Sequence, residues 1–231
     1  MSKGVIGIGC SYTWGEGLYY YSDLENLPLR SEHHFDPDLI TPAMELYKDN
    51  NKFIKLVADY LNTWWWTNRG NGGTNMSILT YTKEGLYTYD KFKRTDFKLM
   101  ILQFTNYGRD YCNGIDAETQ IKEADKVCKD FEKDGVKVIT FCWDEEIGES
   151  DTYYNLFKKR HIDIEVDGIV KSGFDYFIWN DEYNITVQSD FIKDGFQKND
   201  LHFNLRGHQI IADLIIDKLK KDNFTIDKKI I

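Results

Sequence analysis

Three runs of apolar and β-branched residues constrain the fold of this chain more than any other feature. They extend from Val5 to Ile8, from Leu99 to Phe104 and from Val136 to Phe141, and each ends in small or polar residues. Continuous apolar runs of this length are typical of strands buried on both faces of a sheet. The aromatic run from Trp64 to Trp66, which precedes a glycine-rich turn, predicts a further strand.

Segments with helical periodicity lie between and after these runs. Their apolar positions are Phe53, Ile54, Val57, Tyr60 and Leu61 in the first segment, and Ile121, Ala124, Cys128 and Phe131 in the second. A last helix is predicted from about Arg206 to Lys221. Alternating strands and helices require right-handed crossovers, so we expect an α/β protein with a parallel sheet covered on both faces.

The chain of 231 residues is long enough for one core, and no shift in composition divides it. We therefore expect a single domain over residues 1–231, with loop insertions near 19–45 and 144–196. Within the second insertion, residues 162–170 and 174–187 are expected to form either short strands of an added hairpin or irregular structure.

Charge and composition exclude several functional classes. The formal net charge is −9, and no dense Lys/Arg run is present, which disfavours binding to nucleic acid. No stretch approaches the roughly 20 apolar residues of a membrane span, so we expect a cytoplasmic protein without a membrane partner. The four cysteines lack zinc-site spacing, and His33-His34-Phe35-Asp36 is typical of a solvated loop, so neither a metal nor an organic cofactor is expected.

The first strand leads directly into a serine. Because side chains at the carboxyl ends of parallel strands face the ligand crevice, Ser11 is placed to meet a substrate. The segment lacks the third glycine of a dinucleotide fingerprint, where Tyr12 stands, and it lacks the Gly-Lys-Ser/Thr of a phosphate-binding loop. Thr13 occupies the position of the second glycine in the nucleophile elbow, which excludes that motif.

A serine nucleophile needs a neighbouring base, and His202 is the favoured candidate among five histidines. It lies just before the last predicted helix, and Asp200 precedes it by two residues. This spacing allows Asp200 to accept the Nδ1 proton while Nε2 faces the serine. By itself an Asp-x-His pair is more typical of a solvated loop, but together with Ser11 it favours a catalytic triad. His208 is interpreted as structural.

Two further segments are candidates for stabilising a negatively charged oxygen. The turn from Asn68 to Asn75 is rich in glycine, so its N–H groups can gather around an anion. The stretch from Gln103 to Asn106 ends the Leu99–Phe104 strand and brings an amide to the same crevice. Both segments are also typical of ordinary turns.

In this order, the segments resemble the sequence blocks of the SGNH (GDSL-like) hydrolase superfamily. Gly9-Cys10-Ser11 corresponds to the first block, in a Gly-Cys-Ser-x-Thr-x-Gly form. Asn68 and Gly73 correspond to the second block, Asn106 to the third, and Asp200-Leu201-His202 to the last. The resemblance implies a flavodoxin-like three-layer α/β/α sandwich with a mainly parallel five-stranded sheet.

The match departs from the superfamily pattern in two blocks. Phe104 and Tyr107 replace the residues that flank Asn106, and Thr105 is an alternative polar group for that block. The last block is one residue shorter than the usual Asp-x-x-His, which leaves Asn199 at the usual position of the acid. Cys10 is interpreted as a packing residue.

The resemblance implies a serine esterase that forms an acyl-enzyme. Ser11 would be the nucleophile and His202 the base, with Asp200 as its partner. The oxyanion hole would comprise the N–H groups of Ser11 and Gly73 and the Asn106 amide.

Tyr12, Trp14 and Thr105 are expected to contact the substrate. Trp14, Trp143 and Tyr19 to Tyr21 form either an aromatic wall that stacks on sugar rings or part of an aromatic-rich core, which is the commoner arrangement. The favoured substrate is an acetyl ester of a carbohydrate. The alternatives are a lipase or thioesterase and, from another class, a catalytically silent carbohydrate-binding or structural protein.

Overall fold

The computed structural model describes residues 2–22, 40–68, 73–111, 113–191 and 201–225, without the side chains of Trp14 and Phe191. The strands are β1 (Gly4–Ile8), β2 (Trp65–Thr67), β3 (Phe97–Phe104), β4 (Lys137–Cys142), β5 (Ile164–Val166) and β6 (Ile169–Lys171). The α-helices are α1 (Ser11–Trp14), α2 (Pro42–Asn51), α3 (Phe53–Tyr60), α4 (Asn75–Thr80), α5 (Leu86–Thr88), α6 (Gly108–Tyr111), α7 (Ala117–Lys133), α8 (Glu145–Glu149), α9 (Asp151–Phe157), α10 (Asp175–Ile178), α11 (Val187–Phe191) and α12 (Leu205–Lys221). Short 3-10 helices cover Glu16–Ser22, Arg94–Asp96 and Asp181–Tyr183, and Tyr81–Gly85 is a π-helical segment.

The main sheet has the strand order β2-β1-β3-β4, and all its neighbouring strands are parallel. Its central strand β1 pairs through Val5 with Trp65 on one side and Leu99 on the other. These strands are the apolar runs of the sequence, and their side chains are almost completely buried in β1, β3 and β4. The predicted α/β class with a mainly parallel sheet is therefore confirmed.

The fifth strand of the expected sheet is reduced to two bridges in the described residues. His161 and Gly173 each pair in parallel with β4, opposite Thr140 and Cys142. Between these bridges the chain leaves the sheet edge to form the antiparallel β5–β6 hairpin. The ladder is interrupted because the excursion occupies the residues that would otherwise continue it, and the sheet has four strands rather than five.

Helices pack on both faces of the sheet. On one face α3 contacts β1 and α12, and the Phe53 ring lies 5.7 Å from the ring of Phe141 in β4. A side chain at Gly7 would collide with Ile54 of α3, which explains the glycine at this position. On the other face α7 contacts α4, α9 and β4. The three-layer arrangement leaves the carboxyl ends of the strands as the open edge of the sheet.

The predicted helices are present with small changes at their ends. The last one begins at Leu205 because the Asn204 side chain caps it, accepting a hydrogen bond of 2.8 Å from Gly207 N. The cap fixes the chain two residues after His202.

The segment 19–45 was expected to be a loop, but its two ends are helical: a 3-10 helix lies at one end and α2 at the other. Residues 23–39 fall outside the described part. The segment 144–196 contains the hairpin within 162–170 and its flank, but 174–187 is mainly helical. Among the described residues, no helix combines the length and apolar character that a membrane span requires.

Candidate active site

Ser11 lies three residues beyond β1, at the first position of the four-residue helix α1. Its side chain is buried with the rest of the turn. The N–H groups in the first turn of a helix have no acceptor within that helix. The helix ends at Gly15, whose φ of 87° is in the left-handed region.

His202 meets Ser11 across this edge. Its Nε2 lies 2.7 Å from Ser11 Oγ. The backbone carbonyl of His202 accepts a hydrogen bond of 2.9 Å from Val187 N, and the neighbouring Phe203 pairs with Thr186, so the loop is held on both sides. An imidazole nitrogen in contact with a hydroxyl can accept its proton. The two residues that the sequence linked are therefore brought within hydrogen-bonding distance, while Asp200 lies outside the described residues.

The carboxylate of Glu16 adjoins His202. Glu16 is 3% exposed, and its Oε2 lies 3.6 Å from His202 Nε2. Sequence reasoning missed this residue, although it stands between two glycines immediately after the Ser11 helix. Such glycines signal a backbone that turns sharply or passes close to another segment.

Side-chain amides hold the backbone around Ser11. Asn68 accepts from Gly9 N at 3.0 Å and donates to Gly9 O at 2.8 Å. Gln103 accepts a short hydrogen bond from the Thr13 hydroxyl and contacts the Cys10 thiol. Cys10 is fully buried, consistent with its interpretation as a packing residue. Asn68, which corresponds to the second sequence block, therefore stabilises the backbone that leads to Ser11.

Asn106 and Gly73 take part in a separate set of contacts. Asn106 Oδ1 accepts from Gly108 N at 2.8 Å, and its Nδ2 donates to Asp144 Oδ1 at 3.0 Å. Asp144 also accepts from Tyr107 N at 2.9 Å, and burial raises the pKa of its carboxyl to about 6. The Gly73 carbonyl accepts from the Arg109 guanidinium at 3.1 Å, which links the second and third blocks. Sequence reasoning did not identify Asp144 or Arg109.

Thr105 follows the last residue of β3 and is buried. Its backbone N–H and C=O form hydrogen bonds of 2.8 and 3.0 Å with the Asn75 side chain. Its hydroxyl forms no hydrogen bond with any of the described residues. The Asn75 amide thus forms the same pair of hydrogen bonds with the backbone after β3 that the Asn68 amide forms with Gly9 after β1.

Aromatic rings surround His202. The Tyr12 ring lies 4.8 Å from the imidazole and 4.3 Å from the half-buried ring of Trp143. Tyr19 and Tyr20 are fully buried, so the predicted aromatic wall is wrong for these two residues. The backbone of Trp14 closes α1, but its side chain is outside the described part.

Two other histidines have partners in the structure. His208 is completely buried, accepts from Phe53 N at 3.4 Å and stacks on the Phe53 ring. Burial lowers its pKa to about 3, so it is neutral and structural, as interpreted from the sequence. His161, for which the sequence offered no partner, lies 3.0 Å from the Tyr153 hydroxyl.

No protein-family model and no curated protein matches the sequence. The fold, however, is similar to that of solved hydrolases. The psychrotrophic esterase EstA from Pseudoalteromonas sp., solved with monoethylphosphonate as inhibitor, is 10% identical, and the alignment covers 95% of this chain and 97% of that chain with a TM-score of 0.51. LAE5, an alpha/beta hydrolase enzyme from the metagenome of Lake Arreo, Spain, is 13% identical, with 95% of each chain covered and a TM-score of 0.50. At these identities the similarity concerns the fold alone, and that fold is the α/β arrangement expected from the sequence.

Proposed function

We propose that this protein is a hydrolase that cleaves carboxylic esters, with Ser11 as nucleophile and His202 as general base. The observation that carries the proposal is the 2.7 Å separation of Ser11 Oγ and His202 Nε2. These atoms come from opposite ends of the chain and meet at the edge of the sheet where α/β proteins bind ligands. The similarity of the fold to an esterase and to an alpha/beta hydrolase enzyme gives further support.

The reaction begins when His202 Nε2 takes the Ser11 hydroxyl proton and Oγ attacks the ester carbonyl carbon. The carbonyl electron pair moves to its oxygen, giving a tetrahedral oxyanion. The imidazolium then returns the proton to the leaving alkoxide, and the acyl group remains on Ser11. Water, deprotonated by the same imidazole, attacks the acyl-enzyme and releases the acid. Asp200 would accept a hydrogen bond from the Nδ1–H group of His202 throughout, without taking the proton.

The oxyanion would be held by the N–H groups of Ser11 and Gly73 and by the Asn106 amide. The Asn106 amide nitrogen carries two hydrogens, and Asp144 accepts one of them. Thr105 is the alternative polar group of this block, because its buried hydroxyl binds none of the described residues.

For the substrate we propose an acetyl ester of a carbohydrate. The half-buried ring of Trp143, which lies 4.3 Å from the Tyr12 ring, supports this choice, because flat aromatic surfaces pack against the apolar faces of sugar rings. Trp14 and Thr105 would complete this binding site.

A fluorophosphonate probe tests the proposal. The probe should label the wild-type protein, and Ser11→Ala should abolish labelling and lower kcat/KM for p-nitrophenyl acetate roughly 10⁴-fold or more. Ser150→Ala is the matched control. Because Ser150 caps α9, this variant should be labelled as fully as the wild-type protein. Ester hydrolysis that survives in Ser11→Ala would refute the proposal, and a folded wild-type protein inert to probe and esters would favour the catalytically silent alternative.

A substrate panel tests the finer assignment. Acetylated sugars should be cleaved faster than p-nitrophenyl esters of medium and long chains. A rate that rises with acyl chain length would favour a lipase or thioesterase instead.

A further inference from the structure

Glu16 is a buried carboxylate that contacts the reacting nitrogen of the proposed base. Its side chain is 3% exposed, and Oε2 lies 3.6 Å from His202 Nε2, the same atom that faces Ser11 Oγ. Among the described residues, it is the carboxylate that lies within 4.0 Å of His202.

The local backbone is built to bring Glu16 to this position. Gly15 ends α1 in the left-handed region, and its N–H donates to Ser11 O at 2.9 Å, so the chain reverses direction immediately before Glu16. Gly17 then passes so close to the histidine loop that an added Cβ would lie 2.8 Å from His202 Cβ and 2.7 Å from Phe203 O. The Gly15-Glu16-Gly17 sequence therefore places a carboxylate against the imidazole.

The imidazole is neutral before it takes the Ser11 proton and carries a full positive charge afterwards, and the Glu16 carboxylate lies beside the nitrogen that gains this proton. Opposite charges at this separation, in a site shielded from water, attract strongly. The interaction is therefore larger after Ser11 has lost its proton than before, which is the condition for accelerating the chemical step.

We propose that Glu16 is the electrostatic partner of His202 in catalysis, raising its basicity and stabilising the imidazolium that forms during acylation. The inference rests on the proposed function. In this step the Ser11 O–H bond breaks, an Nε2–H bond forms, and Glu16 exchanges no proton. When the leaving alkoxide takes the Nε2 proton, the imidazole is neutral again and the Glu16 charge is unchanged.

The other titratable groups around His202 act differently. From α1, Ser11 faces Nε2 and the Tyr12 ring packs against the imidazole. From α12, His208 interacts electrostatically with His202, and the Lys52 cation also acts on His208. None of these groups carries a negative charge. On its own segment, burial is the main cause that raises the pKa of Tyr19, and the charge of Glu16 adds to the rise.

The test is the pH dependence of Glu16→Gln, which keeps the size of the side chain and removes its charge. The acidic limb of kcat/KM should move down by about one pH unit, because the imidazolium loses a nearby opposite charge. The plateau should fall about tenfold, the factor that matches one pKa unit. Asp125→Asn is the control, since Asp125 is also buried but pairs with Arg160. This variant should lose stability, and the acidic limb of its kcat/KM profile should stay at the wild-type pH.

A second measurement is independent of turnover. NMR titration of His202 in Ser11→Ala, with the signal assigned through His202→Asn, should give a lower pKa when Glu16→Gln is added. An unchanged His202 pKa and an unchanged limb would overturn the role of Glu16 even if Ser11 is labelled normally. Labelling that does not depend on Ser11 would instead overturn the proposed function and leave the titration result standing. If Glu16→Gln does not fold, Glu16→Asp should give a smaller shift in the same direction, and no shift would again overturn the inference.

Discussion

The side-chain amide of Asn68 forms a pair of hydrogen bonds with the backbone of Gly9, two residues before Ser11. Asn68 Oδ1 accepts from Gly9 N at 3.0 Å, and Asn68 Nδ2 donates to Gly9 O at 2.8 Å. Both partners are buried, so neither peptide group has ready access to water as a substitute. The position of the Ser11 turn therefore depends on a residue at the end of the neighbouring strand β2.

We expect Asn68→Ala to destabilise the protein by on the order of 3 kcal/mol, because it leaves a buried N–H and a buried C=O unsatisfied. Labelling of Ser11 by the fluorophosphonate probe should slow in the same variant, since the turn loses its anchor. Urea unfolding and the labelling rate measure the two effects. Asn51→Ala removes a single bond to Tyr47 O and should cost less than about 1 kcal/mol without slowing labelling. Equal behaviour of the two variants would contradict the anchor role.

Asp144 holds the Asn106 amide in one orientation, because both of its oxygens accept hydrogen bonds from residues 106 and 107. Asp144→Asn replaces one acceptor oxygen by an NH₂ group that opposes a donor. We expect kcat to fall about tenfold, less than the 10² to 10³ lost when an oxyanion donor is removed outright. The KM should change little. A variant with wild-type kcat would show that the orientation of Asn106 does not matter.

The raised pKa of Asp144 also predicts a pH dependence of stability. Burial raises this pKa to about 6 in the folded protein, so the folded state holds the proton more tightly than the unfolded state. The contribution to the free energy of unfolding is therefore full below about pH 4 and is lost as the pH rises through 6. Urea unfolding of wild type and Asp144→Asn across this window should show a flatter profile for the variant. Parallel profiles would contradict the assignment.

His208 predicts the opposite trend. Burial lowers its pKa to about 3, so the unfolded state binds the proton more tightly. Stability from this residue is present above about pH 6.5 and falls by up to about 1.4 kcal/mol per unit as the pH drops toward 3. His208→Asn should remove this part of the slope, although the smaller side chain lowers stability at neutral pH. The measurement is the free energy of unfolding between pH 7 and 4, and an undiminished slope would refute the prediction.

Much of the fold was predictable because it depends on local patterns. The runs that became β1, β3 and β4 are apolar at nearly every position, which only strands buried on both faces require. Helices α7 and α12 followed from their apolar period. Among the described residues the expected fifth strand is present only as two bridges to β4, because the β5–β6 hairpin, which the sequence offered as one option for 162–170, diverts the chain between them.

Some functional residues were predictable from local patterns and others were not. Ser11 was predictable because it follows a strand, and His202 because it precedes a helix, at positions that face the crevice. Glu16 and Asp144 were not, because a single acidic residue in a loop carries no periodic signal. The contacts of Asn106 with Asp144, and of Gly73 with Arg109, also gave no sign in the sequence.

Local patterns in the sequence specify which segments become strands and helices and which polar residues stand at their ends, because burial patterns and caps act over a few residues. Which of those residues meet depends on how the elements pack. Ser11 and His202 are 191 residues apart, and their contact depends on the parallel register of the sheet and on the cap that begins α12. Distances between side chains follow from the packing of whole elements, which no local pattern specifies.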